Sequence, residues 1–131
     1  MIEFNKPAGC RVLELGGGSS RNSAADVMVD VRQLPGVDFA MDFNAFPWPI
    51  QDDDFHAILS HFALEHVSWR NTKAFIKEVH RILKPGGKAV IVVPNTQAQL
   101  KWIEEHQEGW DGKDSFESMS CVLFGDNDYA E

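Results

Sequence analysis

A run of alternating apolar residues, Cys10-Arg-Val-Leu-Glu14-Leu15, passes without a break into three consecutive glycines, Gly16, Gly17 and Gly18. This reads as a buried strand ending in a turn with bare backbone, because residues without a Cβ are needed where the chain takes positive φ or another group comes close. Glu14 precedes the turn, and a second acidic residue, Asp30, ends the next strand candidate. A carboxylate there can accept both hydroxyl hydrogens of a ribose, which no neutral side chain does as well. The combination points to a nucleoside cofactor; the plain alternative is a tight connection that binds nothing.

Around this turn the chain alternates strands and helices. Strand candidates fall near 10–15, 26–31, 37–41, 55–61 and 87–94, rich in Val, Ile, Leu and Phe without clean polar alternation, as suits strands covered on both faces of a parallel sheet. The clearest helix is expected over 72–84, with Phe75, Ile76, Val79, Ile82 and Leu83 as one apolar stripe and Lys73, Lys77, Glu78, Arg81 and Lys84 pointing away. Asn71 is placed to cap its start, and Pro85-Gly86-Gly87 stops it. Strand, helix and the strand of 87–94 make a βαβ crossover, so the fold class is α/β. Between Gly18 and Asp30 there is room for only a turn or two of helix, so the usual crossover helix is short or lost. Leu34-Pro-Gly36 and Phe46-Pro-Trp-Pro49 read as loops. A further helix is expected over 97–107, then a loop over 108–113; the tail from Ser115 has no clear pattern.

Length and charge narrow the partners. The chain has 131 residues, 44% of them hydrophobic, which suffices for one core and one domain over 1–131. A net charge of −8 argues against nucleic acid or an anionic membrane surface as the main partner, since Lys and Arg drive both. With only Cys10 and Cys121, neither a disulfide framework nor a zinc site is suggested. No segment has the length of a signal-peptide core or a membrane span, so a soluble cytoplasmic protein is expected. His56, His61, Glu65 and His66 lack the HExxH spacing that puts two ligands on one helix face, and no metal is expected. Asp52-Asp53-Asp54 reads as a solvated loop, and Trp48 and Trp69 as pocket wall or core.

Taken in order, Val12-Leu-Glu14-Leu-Gly16-Gly-Gly18, Val29-Asp30-Val31, Asp42 before Phe46-Pro-Trp-Pro, Phe55 to Val67 with Leu64-Glu65-His66, and Leu83-Lys-Pro-Gly-Gly87 resemble the class I S-adenosylmethionine-dependent methyltransferases, closest to the small type 11 group. The resemblance covers about residues 9–95. It implies a Rossmann-like, doubly wound, mainly parallel sheet of about five strands. Glu14, Gly16, Gly17 and Gly18 would line the methionine part of S-adenosylmethionine, and Asp30 would hold the ribose. Asp42 would accept from the adenine amino group, with Phe43 along the ring. Ser60, His61 and Phe62 would face the methyl group and a small-molecule acceptor. His61 is the first candidate for a base and Glu65 the second, where the acceptor arrives protonated; both have plain structural alternatives at a strand end and a helical turn. The sulfonium cation suits an acidic rim better than a pyrophosphate would. A dinucleotide would want a third glycine where Ser20 stands and an acidic residue farther on than Asp30, so a nicotinamide enzyme ranks lower.

Two features depart from the family pattern. His56 follows Phe55 where many relatives have Asp. The usual C-terminal strand pair after the fifth strand is lacking, although Phe124-Gly-Asp-Asn-Asp-Tyr129 resembles the region just before it. The sheet edge would then need cover from the 97–107 helix and the tail, from a second subunit, or from a part lost by truncation. A homodimer or a naturally shortened protein is the favoured expectation. The rival to an enzyme is a non-catalytic module that binds S-adenosylmethionine or S-adenosylhomocysteine, or a partial domain completed by a partner subunit.

Overall fold

The structure, a computed structural model, describes residues 2–106. The loop expected over 108–113, the tail with Cys121 and the 124–129 segment lie outside the described residues. Chain contacts divide the molecule into two units, Met1–Val92 and Val93–Glu131.

The first unit carries five strands, β1 (Val12–Leu15), β2 (Val27–Asp30), β3 (Phe39–Ala40), β4 (Phe55–His61) and β5 (Leu83–Val92), with a 3-10 turn at Leu64–His66 and helix α1 (Thr72–Ile82) between β4 and β5. All pairings are parallel and the strand order is β3-β2-β1-β4-β5, a Rossmann-like arrangement. The winding reverses between β1 and β4, and open parallel sheets leave a crevice outside the carboxyl ends of the strands at such a point.

Side-chain alternation along the strands divides the core between two faces. Leu13, Leu15, Val29 and Ile58 pack with Phe75, Val79 and Ile82 of α1 and with Phe43 and Trp48. Val12, Ala57 and Leu59 pack with Ala24 and the partly buried Ile2, Phe4 and Val90. The first cluster is much the larger, and its fully buried Phe and Leu side chains each contribute about 1.5–3 kcal/mol by leaving water.

Helix α1 forms where the stripe predicts, with two corrections. Ile76 is 44% exposed because it lies one step around the helix from Phe75, whereas the expected outward Glu78 is buried. Glu78 is tolerated inside because it is fully partnered: its Oε2 accepts the Trp48 backbone N–H at 2.7 Å, and Arg81 donates to both of its oxygens. Arg81 also donates to the carbonyls of Trp48 and Ile50 and to Asp52, which fastens the 48–52 loop to the helix. The aspartate run is thus partly engaged, since Asp54 also pairs with Arg11. Asn71 occupies the N-cap position without a side-chain cap; its amide donates to Asn44 Oδ1 at 3.1 Å instead.

The helix stops at Ile82, two residues before the expected end. Leu83 pairs with Phe55, and the ladder resumes at Lys88 opposite Ala57 after an irregularity that takes up the Pro85-Gly-Gly87 segment, where proline has no N–H to give a ladder. No helix forms between Gly18 and β2, in agreement with the short spacing. In the second unit, helix α2 (Thr96–His106) starts on Asn95, whose Oδ1 accepts the Ala98 N–H.

Candidate functional site

Register builds the site. Glu14 lies opposite Leu59, and Leu15 opposite Ser60, so the glycine turn after β1 and His61 at the end of β4 come side by side at the reversal point. They enclose a cleft of about 220 Å³ lined by Ile2, Glu14, Gly16, Gly17, Ser20 and His61.

The glycines have distinct jobs. A Cβ on Gly17 would stand 2.2 Å from Met28 Sδ and 3.0 Å from the Glu14 carboxyl carbon, so only bare backbone fits there. Gly18 has φ +60 and open space where a Cβ would be, which leaves its turn free to face a ligand. The Gly18 N–H donates to Asp30 Oδ2 at 2.9 Å, tying the turn to the end of β2.

Glu14 is only 6% exposed, and its Oε2 accepts the Asn22 N–H at 2.7 Å. Burial pushes its carboxyl above the ordinary range, against the lowering by that N–H and by the Arg21 charge. Asp30, 4% exposed, accepts from Gly18 and, through Oδ1, from the Arg32 N–H at 3.0 Å. Both carboxylates therefore hold backbone as well as facing the crevice end of the sheet. Asn22 was not anticipated as a link: its N–H holds Glu14 and its Nδ2 donates to the Ile2 carbonyl at 2.7 Å, which seats the N-terminal segment against the cleft. Nothing in the sequence around Ile2 signals this role. Asn22 stood out only as a potential cap.

The β4 end holds the remaining candidates. Ser60 is fully buried and its Oγ has no hydrogen-bond partner. The His61 ring stacks on Phe62, with centroids 4.2 Å apart and planes at 27°, and burial lowers its pKa, favouring the neutral imidazole. In the 3-10 turn, Glu65 has a buried Oε2 without a partner, and burial raises its carboxyl.

Cleft-lining positions thus unite Glu14, Gly16, Gly17 and His61, with Gly18 and Asp30 joined to them by a hydrogen bond. Ser60 lies behind His61 in the strand, and Asp42, Phe43 and Glu65 are not among the lining residues. Asp42 accepts the Asn44 N–H at 2.8 Å, which is a turn-forming bond. The Phe43 ring differs from the expectation: it is buried against Trp48 and Phe75, with centroids 6.1 Å away in each case, because apolar contact in the core outweighs an exposed position beside a ligand. Trp48 belongs to the same aromatic cluster, whereas Trp69 is 76% exposed under the Arg70 guanidinium. Among the described residues no three His, Cys, Asp or Glu side chains gather as a metal site, and no helix is long and apolar enough to cross a membrane.

This geometry falls within a known family. The methyltransferase domain family matches residues 13–91, from β1 through β5, and the chain belongs to it. No curated protein matches the sequence. Among solved structures, a putative methyltransferase from Bacillus halodurans has 21% identity and a TM-score of 0.50, over 78% of this chain and 50% of that one. A chain from the complex of the Haloferax volcanii Trm112 methyltransferase activator with the putative methyltransferase has 20% identity and a TM-score of 0.50, over 74% and 51%. An S-adenosylmethionine-dependent methyltransferase from Mesorhizobium loti has 18% identity and a TM-score of 0.47, over 64% and 46%. The first two likenesses establish a shared fold. The chain spans about half the length of the solved structures it matches.

Proposed function

We propose that the chain is an S-adenosylmethionine-dependent methyltransferase acting on a small-molecule acceptor. The observation that carries this reading is the cleft at the β1–β4 reversal, where a buried carboxylate and bare glycine backbone meet His61 inside a methyltransferase domain.

The residues present fit the cofactor. Glu14 offers negative charge in a dry setting, which favours a cation such as a sulfonium. An ionised carboxylate has about four acceptor positions, and protein N–H groups engage Asp30 at two, so a ribose hydroxyl pair can be added. The unpartnered Ser60 hydroxyl is a further polar group that a ligand at the strand end would satisfy. Gly16, Gly17 and Gly18 would hold the methionine part, and Asp42 and the backbone of Phe43 the adenine end. S-adenosylmethionine supplies an activated methyl group whose leaving group is already positively charged. The protein then has to align the acceptor and exclude water. His61, kept neutral by burial, takes a proton from an oxygen or nitrogen acceptor, with Glu65 as the second candidate.

Calorimetry with S-adenosylhomocysteine tests the reading, with a well-folded sample that fails to bind counting against it. His61→Ala is expected to slow turnover about 10²-fold or more with cofactor affinity nearly intact; equal loss of both would mark His61 as structural. The second reading, a cofactor-binding module without catalysis, is favoured by the half-length coverage of the solved structures. Binding without consumption of S-adenosylmethionine in a mixed acceptor screen would select it. The leading reading also takes the protein as a cytoplasmic homodimer whose second copy pairs along β5, the outer strand of the sheet. Light scattering that gives one chain's mass over a wide concentration range would remove the second copy.

A further inference from the structure

Phe62 breaks two local rules at once. Its φ is +56, a conformation that costs a bulky residue strain and that glycine or asparagine adopts with less. Its side chain is also 41% exposed, although it is one of the larger apolar groups in the chain. Folding alone favours a small or polar residue here, and such conflicts concentrate where a residue acts on something outside the fold. The backbone is nonetheless held: the Phe62 N–H donates to the Val92 carbonyl at 2.9 Å, and the next residue, Ala63, packs against Gly16, whose added Cβ would stand 2.5 Å from the Ala63 Cβ. Phe62 therefore has a defined position beside the glycine turn. One face of its ring is covered by the nearly parallel imidazole of His61, which lines the cleft. The exposed part of the ring offers a flat apolar surface next to the one side chain positioned to take a proton.

We propose that Phe62 is the stacking platform for the methyl acceptor, and that the acceptor carries its reacting group on a neutral aromatic ring. This inference rests on the methyltransferase reading and adds the substrate class. A flat ring gains from offset stacking on Phe62 in a way that a saturated ring of the same size does not. A neutral ring also meets no repulsion from the buried Glu14 carboxylate and the acidic protein.

The test compares p-cresol with 4-methylcyclohexanol, which share size and hydroxyl but not aromaticity, by NMR titration of the full chain saturated with S-adenosylhomocysteine. Wild type is expected to bind p-cresol about three- to tenfold more tightly, the scale of one stacking contact. Phe62→Leu should erase that preference, Phe62→Tyr should keep it, and both should bind S-adenosylhomocysteine as wild type does. Equal binding of the two probes by wild type, or an unchanged preference in Phe62→Leu, would overturn the platform. A Phe62→Leu variant that shifts the His61 titration while keeping the preference would show that Phe62 only shields the imidazole, which also overturns it. Failure of wild type to take up S-adenosylhomocysteine is a separate result that removes the methyltransferase reading itself.

Discussion

The two halves of the sheet are held together by different physics. On one side, β4, α1 and β5 form a complete crossover whose helix packs Phe75, Val79 and Ile82 into the larger core, with Phe75 edge-on to Trp48 at 5.0 Å. On the other side, β1, β2 and β3 are short and joined by turns, with no helix between them. Turns leave backbone N–H groups in need of partners, and here acidic side chains supply them. Asp26 accepts from Val12 at 2.8 Å, Asp38 from Met28 at 2.8 Å, Glu14 from Asn22 at 2.7 Å and Asp30 from Gly18 at 2.9 Å. The difference teaches that much of the acidic excess of this chain is structural, replacing helix packing, and that the cofactor carboxylates belong to the same scaffold.

The largest effect is expected where packing rules. Phe75→Ala should cost about 3–5 kcal/mol in urea unfolding; a loss below about 1 kcal/mol would break the claim that α1 holds its half by apolar burial. On the carboxylate side, Asp30→Asn keeps an acceptor for Gly18 but loses the charge. It should weaken S-adenosylhomocysteine binding by about 1.5–3 kcal/mol in calorimetry. Unchanged affinity in the folded variant would assign Asp30 wholly to the scaffold.

Smaller effects separate charge from hydrogen bonding. Since burial raises the Glu14 carboxyl above its ordinary value, its ionisation opposes folding, and stability is lost as pH rises through the raised pKa. Glu14→Gln, which can still accept from Asn22, should therefore melt higher than wild type near neutral pH, with the gain fading at about pH 4, where Glu14 becomes protonated. A gain of equal size at both pH values would show that ionisation is not its cause. Asp26 has the opposite sign: the Lys6 ammonium and the Val12 N–H hold its carboxyl below the ordinary 3.8. Its contribution is present above that value and lost as pH falls through the lowered one, so Asp26→Asn should slightly flatten the acid limb of the melting profile. Identical acid limbs would mean that the pairing contributes nothing measurable, as exposed ion pairs often do.

Local signals made a good part of this legible. The apolar run into Gly16–Gly18, the Phe75-Val79-Ile82 spacing and the Asp30 strand end each reflect forces acting within a few residues. Errors arose where a distant segment decided. Glu78 read as an outward charge until Trp48, thirty positions away, brought its N–H to it. Phe43 read as a ligand-facing ring until Trp48 and Phe75 enclosed it.

From the sequence alone came the order of strands and helix and the glycine turn, because alternation, helical period and missing Cβ atoms are properties of neighbouring residues. Tertiary structure alone decided which carboxylates hold backbone, which aromatic rings are enclosed and which of them, as at Phe62, stays open. Those outcomes depend on parallel register and on loops that bring remote groups within hydrogen-bonding or van der Waals reach, and no local pattern encodes that distance.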